Sequence, residues 1–269
     1  MKLKEEHWMN TRKNKISICI DMMFSGFNFY ERITEVKKCG IDTVEFWKWT
    51  NKDIDRVKSI LDANEMKLSV LNIDSNDEKL SYDLSRGILN AGRADEFVSA
   101  LNESIPVYKK LNASAMIVLI GENAPYSEEN VICCLNAVKS ICEKEDVTLI
   151  IEPLNNIDRQ GYSMPYAKPV FDLLKKVNSP KIKMLYDIYH QNMMGDFSIE
   201  DIIKNIDLIG HFHVADSPGR HEPGTGSVDY VKILGCISNL SYNGYIGLEY
   251  RATKSDAETF GFLKEANLI

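Results

Sequence analysis

A chain of 269 residues with 44% hydrophobic and 26% charged content has the make-up of one large globular domain with a substantial core. Its net charge of −7 argues against a nucleic-acid partner, because phosphate binding usually leaves a basic footprint. No run of about 18 apolar residues occurs, so no membrane span is expected, and the polar N-terminus lacks the apolar core of a signal peptide. A cytoplasmic protein is the expectation. Its six cysteines (Cys19, Cys39, Cys133, Cys134, Cys142 and Cys236) form no C-x-x-C pair and mostly sit in apolar runs, as buried free thiols do.

Residues 1–15, which include His7, read as a polar leader, and 16–269 as a single folded domain. The first strand is predicted at 16–20 (ISICI), followed by a Met- and Phe-rich loop and a helix over 30–39 that Gly40 stops. A second strand, DTVEFWKW, leads into a helix over 51–64, and KLSVLNI (67–73) is the third strand. The long polar connection 74–90 has the length of a functional lid or a poorly ordered loop. A helix over 92–111 and the fourth strand, 114–120, come next; Ser127 then caps a helix with Glu128 and Glu129 in its first turn. The fifth strand, 147–151, ends at Glu152-Pro153. The rhythm continues with helix 166–177, strand 182–186, helix 199–206, strand 208–214, helix 228–240 and strand 245–248, before a last helical stretch over 255–266.

Eight strands alternating with helices is the count of an α/β (β/α)8 TIM barrel. A doubly wound sheet competes, but no G-x-G-x-x-G follows the first strand. No linker or low-complexity tract divides the chain.

The stretch 208–226, LIGHFHVADSPGRHEPGTG, draws attention first. An apolar strand with His211 and His213 breaks into a loop that gathers Asp216, Arg220, His221 and Glu222. Glu152, Asp187, His213 and Glu249 then fall at the C-terminal ends of strands five to eight, where a barrel enzyme places its chemistry. Each alone is as readily a solvated or capping carboxylate, or a core histidine. Together, one per strand on four successive strands, they point to a divalent cation, because clustered carboxylates need a counter-charge. Three carboxylates and an imidazole suit Mn²⁺, Mg²⁺ or Co²⁺ better than a structural zinc.

Further residues fit a small polar substrate. His190, in D-x-x-H, would hydrogen-bond a substrate oxygen, Arg220 would pair with a carboxylate or oxyanion, and Asp158 would hold a hydroxyl. Glu45, Trp47 and Trp49 end the second strand, the tryptophans either as pocket walls or as packing between barrel and helices. His211, on the same side of its strand as His213, is either support for the site or core.

The runs IEPLNNIDRQGY (151–162), YDIYHQNMMGD (186–196), GHFHVADSPGRHEPGTGSVDY (210–230) and GYIGLEY (244–250) resemble the hydroxypyruvate isomerases. These belong to the xylose isomerase-like TIM barrels, which also include the ketose 3-epimerases and the endonuclease IV class. The resemblance is dense over strands five to eight, weaker through DMMF and VEFW, and R-H-E-P-G-T-G is specific to the isomerase branch. It implies that Glu152 and Glu249 both ligate the metal and form the acid/base pair, with Asp187 and His213 completing the site. Position 213 departs from bacterial relatives that carry Gln there; the 3-epimerases carry His. The expected activity is a metal-dependent isomerase interconverting hydroxypyruvate and tartronate semialdehyde through an enediolate, with a ketose 3-epimerase as the alternative. A DNA-repair endonuclease, which uses many histidines, is disfavoured by a chain with five, and a non-catalytic sugar-binding barrel by the presence of both glutamates. The expected partner is a small hydroxy or oxo acid or a ketose; a homo-oligomer is left open.

Overall fold

Apolar runs that alternate with amphipathic helices form parallel strands buried on both faces, and the computed structural model, which describes residues 14–266, has that layout. The first half runs β1 (Ile16–Cys19), α1 (Phe29–Lys38), β2 (Thr43–Glu45), α2 (Ile54–Ala63), β3 (Lys67–Leu68) and β4 (Val70–Asn72). It continues with α3 (Glu78–Leu84), α4 (Ala94–Leu111), β5 (Ala115–Leu119) and α5 (Glu128–Glu145). The second half has β6 (Leu149–Glu152), α6 (Ala167–Val177), β7 (Ile182–Asp187), α7 (Ile188–Met193) and α8 (Ile199–Lys204). It ends with β8 (Ile209–Val214), α9 (Tyr230–Ser238), β9 (Ile246–Leu248), α10 (Asp256–Thr259) and α11 (Gly261–Glu265).

The segments pair in the order β3-β2-β1-β9-β8-β7-β6-β5-β4, with parallel neighbours throughout. Only Ser69 separates β3 from β4. Its N–H donates to the carbonyl of Val44 (2.9 Å) and its own carbonyl accepts from the N–H of Ser114 (2.8 Å), so the two segments are one stepped strand that closes the sheet. The (β/α)8 barrel is therefore complete with eight strand positions. All five residues of β5 are buried, and α6 turns Val170, Phe171, Leu174 and Val177 onto the barrel at helical spacing. Each such side chain contributes roughly 1.5–3 kcal/mol on burial.

Several details differ from the sequence expectation. The second strand stops at Glu45, although the Phe46 N–H still reaches the Val70 carbonyl (3.3 Å) and the Trp47 carbonyl accepts from the N–H of Asn72 (3.0 Å); the Trp47 N–H turns to Asp21 (2.6 Å). The polar connection 74–90 holds a helix, α3, capped by Asp77, and is packed rather than loose. Ser127 does cap α5, accepting from the N–H of Asn130 (3.3 Å). The leader expected over 1–15, and His7 with it, lies outside the described residues except for 14 and 15; the Lys15 carbonyl accepts from the N–H of Ile246 (2.8 Å), so it already belongs to the barrel. Among the described residues, no helix is long and apolar enough to cross a membrane. The cysteines are free, with Cys19, Cys134, Cys142 and Cys236 buried, Cys39 half-buried and Cys133 exposed.

Candidate active site at the carboxyl ends of the strands

Glu152 is the last residue of β6, Asp187 the last of β7, His213 lies near the end of β8, and Glu249 follows β9. Asp187 and His213 are register partners in neighbouring strands. One ligand-competent atom from each of the four lies within 4.8 Å of the others, and all four side chains are buried. The barrel has thus brought together the set that the strand ends predicted. His213 Nδ1 stands 3.4 Å from both Glu152 Oε1 and Glu249 Oε2.

Glu249 is the most heavily engaged of the four. It accepts from the Trp47 indole N–H (2.9 Å) and from the Arg220 guanidinium, and the Cys19 thiol lies 3.7 Å away. Burial alone would raise its pKa, but His213 and Arg220 hold it well below the usual carboxylate range. The same burial pushes the Cys19 thiol up and keeps it protonated. Asp187 behaves differently: burial raises its pKa, and Arg220, 3.9 Å off, and His213 offset this only in part. Burial also opposes charging His213, yet Glu249, Glu45 and Glu152 raise its pKa well above 6.5.

Asp187 also caps α7, accepting from the main-chain N–H of His190 (3.1 Å), which turns the His190 ring back over the site. D-x-x-H therefore has a local cause. His190 Nε2 is buried without a hydrogen-bond partner, 3.4 Å from Asp187 Oδ2. Burial and Arg220 depress its pKa to about 4, so the ring is neutral at pH 7.

Arg220 sits in the loop after β8 with φ of 57°, a left-handed conformation uncommon outside glycine. The loop is held around it: its carbonyl accepts from Arg251 N–H (2.8 Å), and Asp216 accepts from the N–H groups of Ser217, Gly224 and Val228. Glu222 likewise ties Thr253. Asp216 and Glu222 are braces; Arg220 is the residue of that loop that faces the cavity.

The cavity above the cluster has a volume of about 400 Å³ and reaches Trp47, Lys48, Lys52, Arg159, His190 and Arg220, with Glu152 and Glu249 at its base. Two expected substrate contacts are absent from this wall. Glu45 lies behind His213, at 2.9 Å from its Nε2, and accepts from Ser69 (2.9 Å) while meeting His211 Nε2 at 3.0 Å. It sits there because the inward side of β2 at that level points into the barrel interior; a Cβ on Gly247 would overlap its carboxylate. Asp158 instead accepts from Asn155 Nδ2 (3.0 Å) and the Tyr189 hydroxyl (2.8 Å). Trp49 packs in the core with its N–H on Ser104 (3.2 Å), while Trp47 is a wall.

Lys48, Lys52, Arg159 and Asn155 were not singled out by sequence. Lys52 is half-buried against the rings of Phe29 and Phe46 and near Asp21 (3.5 Å), and this burial lowers its pKa. A basic residue within about seven positions of a strand end was the available signal.

The family model for xylose isomerase-like TIM barrels matches residues 33–266. The hydroxypyruvate isomerase of Escherichia coli (strain K12) is 30% identical over 243 residues, covering 88% of this chain and 93% of the relative. The 2-oxo-tetronate isomerase of Cupriavidus necator is 25% identical over 91% of this chain and 95% of its own length. The crystal structure of an AP endonuclease, family 2, from Brucella melitensis superposes with a TM-score of 0.85 at 22% identity, over 94% of this chain and 98% of that one, a likeness of fold. The chain belongs to the xylose isomerase-like TIM barrel family and is an isomerase.

Proposed function

We propose that this isomerase of the xylose isomerase-like barrels interconverts hydroxypyruvate and 2-hydroxy-3-oxopropanoate (tartronate semialdehyde) by proton transfer through an enediolate. The observation that carries the reading is the pairing of two glutamates, each 3.4 Å from His213 Nδ1, with a cavity wall that bears Lys48, Lys52, Arg159 and Arg220. The first supplies an acid/base pair, and the second, four cations against Asp21, Glu152 and Glu249 in the same lining, leaves a small positive excess that favours an anionic substrate over a neutral sugar.

The cluster fits a divalent cation. His213 Nδ1 is buried with no hydrogen-bond partner, and burial raises the pKa of Asp187 despite Arg220 and His213. Glu152, Asp187, His213 and Glu249 would hold Mn²⁺, Mg²⁺ or Co²⁺. When bound, such a cation polarises substrate oxygens as a Lewis acid and stabilises the charge that develops on them.

One glutamate removes a proton from C3 of hydroxypyruvate, and the other delivers one to C2. The hydroxyl hydrogen on C3 moves to the C2 oxygen, so the ketone becomes an alcohol and the terminal alcohol an aldehyde. Glu249, kept ionised by His213, Arg220 and Trp47, is the member that starts as a base. His190 donates from Nε2 to a substrate oxygen, and Arg220, which lines the cavity, pairs with the substrate carboxylate.

The cavity volume favours a second reading within the same chemistry. About 400 Å³ exceeds the need of a three-carbon acid, which makes a four-carbon oxo acid the next substrate to try. The deciding experiment is a panel of hydroxypyruvate, four-carbon oxo acids and free ketoses, assayed with Mn²⁺ or Mg²⁺. Turnover of the acids is expected; turnover confined to free ketoses establishes the 3-epimerase alternative instead.

A further inference from the structure

We infer that Asn155 is a positioning residue that locks His190 into the tautomer with its proton on Nε2, so that the ring offers the cavity a neutral N–H donor. The inference rests on the reading of His190 as a substrate contact.

β6 ends at Glu152, and three residues later Asn155 is fully buried beside His190, itself 1% exposed. The main-chain N–H of Asn155 donates to His190 Nδ1 at 3.1 Å, and the Asn155 side-chain nitrogen lies 2.6 Å from the same atom. A main-chain N–H can only donate. Nδ1 must therefore present its lone pair, and the proton of the neutral ring belongs on Nε2.

The orientation of the Asn155 amide is fixed by its own partners. Oδ1 accepts from the N–H groups of Ile157 (3.0 Å) and Asp158 (2.7 Å), an arrangement that reversal of the amide would turn into donor against donor. Nδ2 also donates to Asp158 Oδ2 (3.0 Å), which is steadied by the Tyr189 hydroxyl (2.8 Å). Both groups bonded to Nδ1 are thus donors, and the Asp158 carboxylate is tied to His190 by a hydrogen-bond chain through Asn155. On the other edge of the ring, Nε2 is buried and makes no hydrogen bond, with Asp187 Oδ2 3.4 Å away, which also suits a proton on Nε2, and the ring lines the cavity. An N–H in that position is matched by a substrate carbonyl or alkoxide oxygen, whereas a bare Nε2 lone pair would repel it.

The test is ¹⁵N NMR of the His190 ring in the full chain, assigned with His190→Gln, together with kinetics. In the wild type, Nε2 carries the proton. Asn155→Ala keeps the main-chain donor and should keep that tautomer, with a several-fold loss in kcat. Asn155→Asp keeps the main-chain donor but sets an acceptor against Nδ1, so the Nε2–H form should lose its exclusive population and the two nitrogen shifts move toward each other, with a loss of about tenfold or more in kcat and little change in KM, because the donor acts on charge that develops during the reaction. A wild-type ring protonated on Nδ1 overturns the inference, as does an Asn155→Asp ring with unchanged nitrogen shifts. Should Asn155→Asp not fold, the wild-type and Asn155→Ala spectra decide. A chain that turns over no acid yet shows the Nε2–H tautomer sinks the proposed function and leaves the lock standing.

Discussion

Trp47, just past the end of β2, donates its indole N–H to Oε1 of Glu249 at 2.9 Å, reaching over the end of β1 to the residue that follows β9. The wall of the cavity is thereby bonded to one of its two central glutamates. Trp47→Phe keeps the aromatic surface and deletes the N–H. A hydrogen bond to a charged group is worth about 1.5–3 kcal/mol, so kcat/KM on hydroxypyruvate should fall about tenfold or more. Because the ring is partly exposed, the melting temperature should move little. Unchanged kinetics would show that Arg220 and His213 suffice to hold Glu249.

Metal removal is the second test. EDTA should abolish activity and Mn²⁺, Co²⁺ or Mg²⁺ restore it, since the carboxylates of Glu152, Asp187 and Glu249 otherwise share one small buried site. Binding to the folded barrel alone adds about 2.7 kcal/mol of stability at a hundredfold excess over Kd, which a thermal melt reads directly. Full activity after chelation and dialysis ends the metal assignment.

The strand ends were legible because a parallel strand reads as an apolar run, and the first polar residue after it marks the active face. That logic gathered Glu152, Asp187, His213 and Glu249, which the barrel brings within 4.8 Å. It failed for Glu45 and Asp158 for one physical reason. A sequence gives position along a strand or loop but not depth, and Glu45 lies one layer beneath the cavity while Asp158 folds back onto Asn155. Asn155 went unnoticed because its partner His190 is 35 residues away, and nothing local in N-N-I-D beyond a turn announces that contact. The step at Ser69 was equally invisible, since KLSVLNI reads as one strand.

Substrate charge is tested at Arg220. Its guanidinium bonds Glu249 and lines the cavity, a planar fork whose several donors one ammonium cannot reproduce. Arg220→Lys should lower kcat/KM on hydroxypyruvate about tenfold or more, by the loss of about 1.5–3 kcal/mol. Free ketoses that turn over well in both the wild type and Arg220→Lys would favour the epimerase.

Acid should unfold the metal-free protein partly through Glu45. Burial raises its pKa, but His211 and His213 overcome this and hold it at about 2, against 4.5 ordinarily. A carboxylate with a depressed folded pKa contributes stability that is present above about 4.5 and lost as pH falls toward 2. The loss is on the order of 3 kcal/mol, from about 1.4 kcal/mol per unit. Denaturant titrations between pH 5 and 2.5 should therefore slope more steeply for the wild type than for Glu45→Gln. Parallel slopes would mean that the two histidines do not hold Glu45 ionised in solution.

The last prediction separates proton transfer from ligation. A glutamate that only holds a cation can become glutamine with weaker binding and rescue by excess metal. One that also moves a proton cannot, because an amide has no useful basicity at neutral pH. Glu152→Gln and Glu249→Gln should each lose at least about 10²-fold in kcat at saturating metal, the low end of general acid–base contributions. Asp187→Asn and His213→Gln should mainly raise the metal requirement. His213→Gln has a second consequence, since it also removes the imidazole that helps keep Glu249 ionised and leaves the Glu45 carboxylate facing an amide. Its activity at saturating metal should thus recover only in part, while its titration with Mn²⁺ shifts to higher concentration. Turnover in D₂O should place deuterium on product carbon where the carrier glutamate exchanges with solvent. If both glutamine variants keep their kcat at saturating metal, the proton carriers lie elsewhere on the cavity wall, and the neutral His190 and the cation Lys48 are the next groups to exchange.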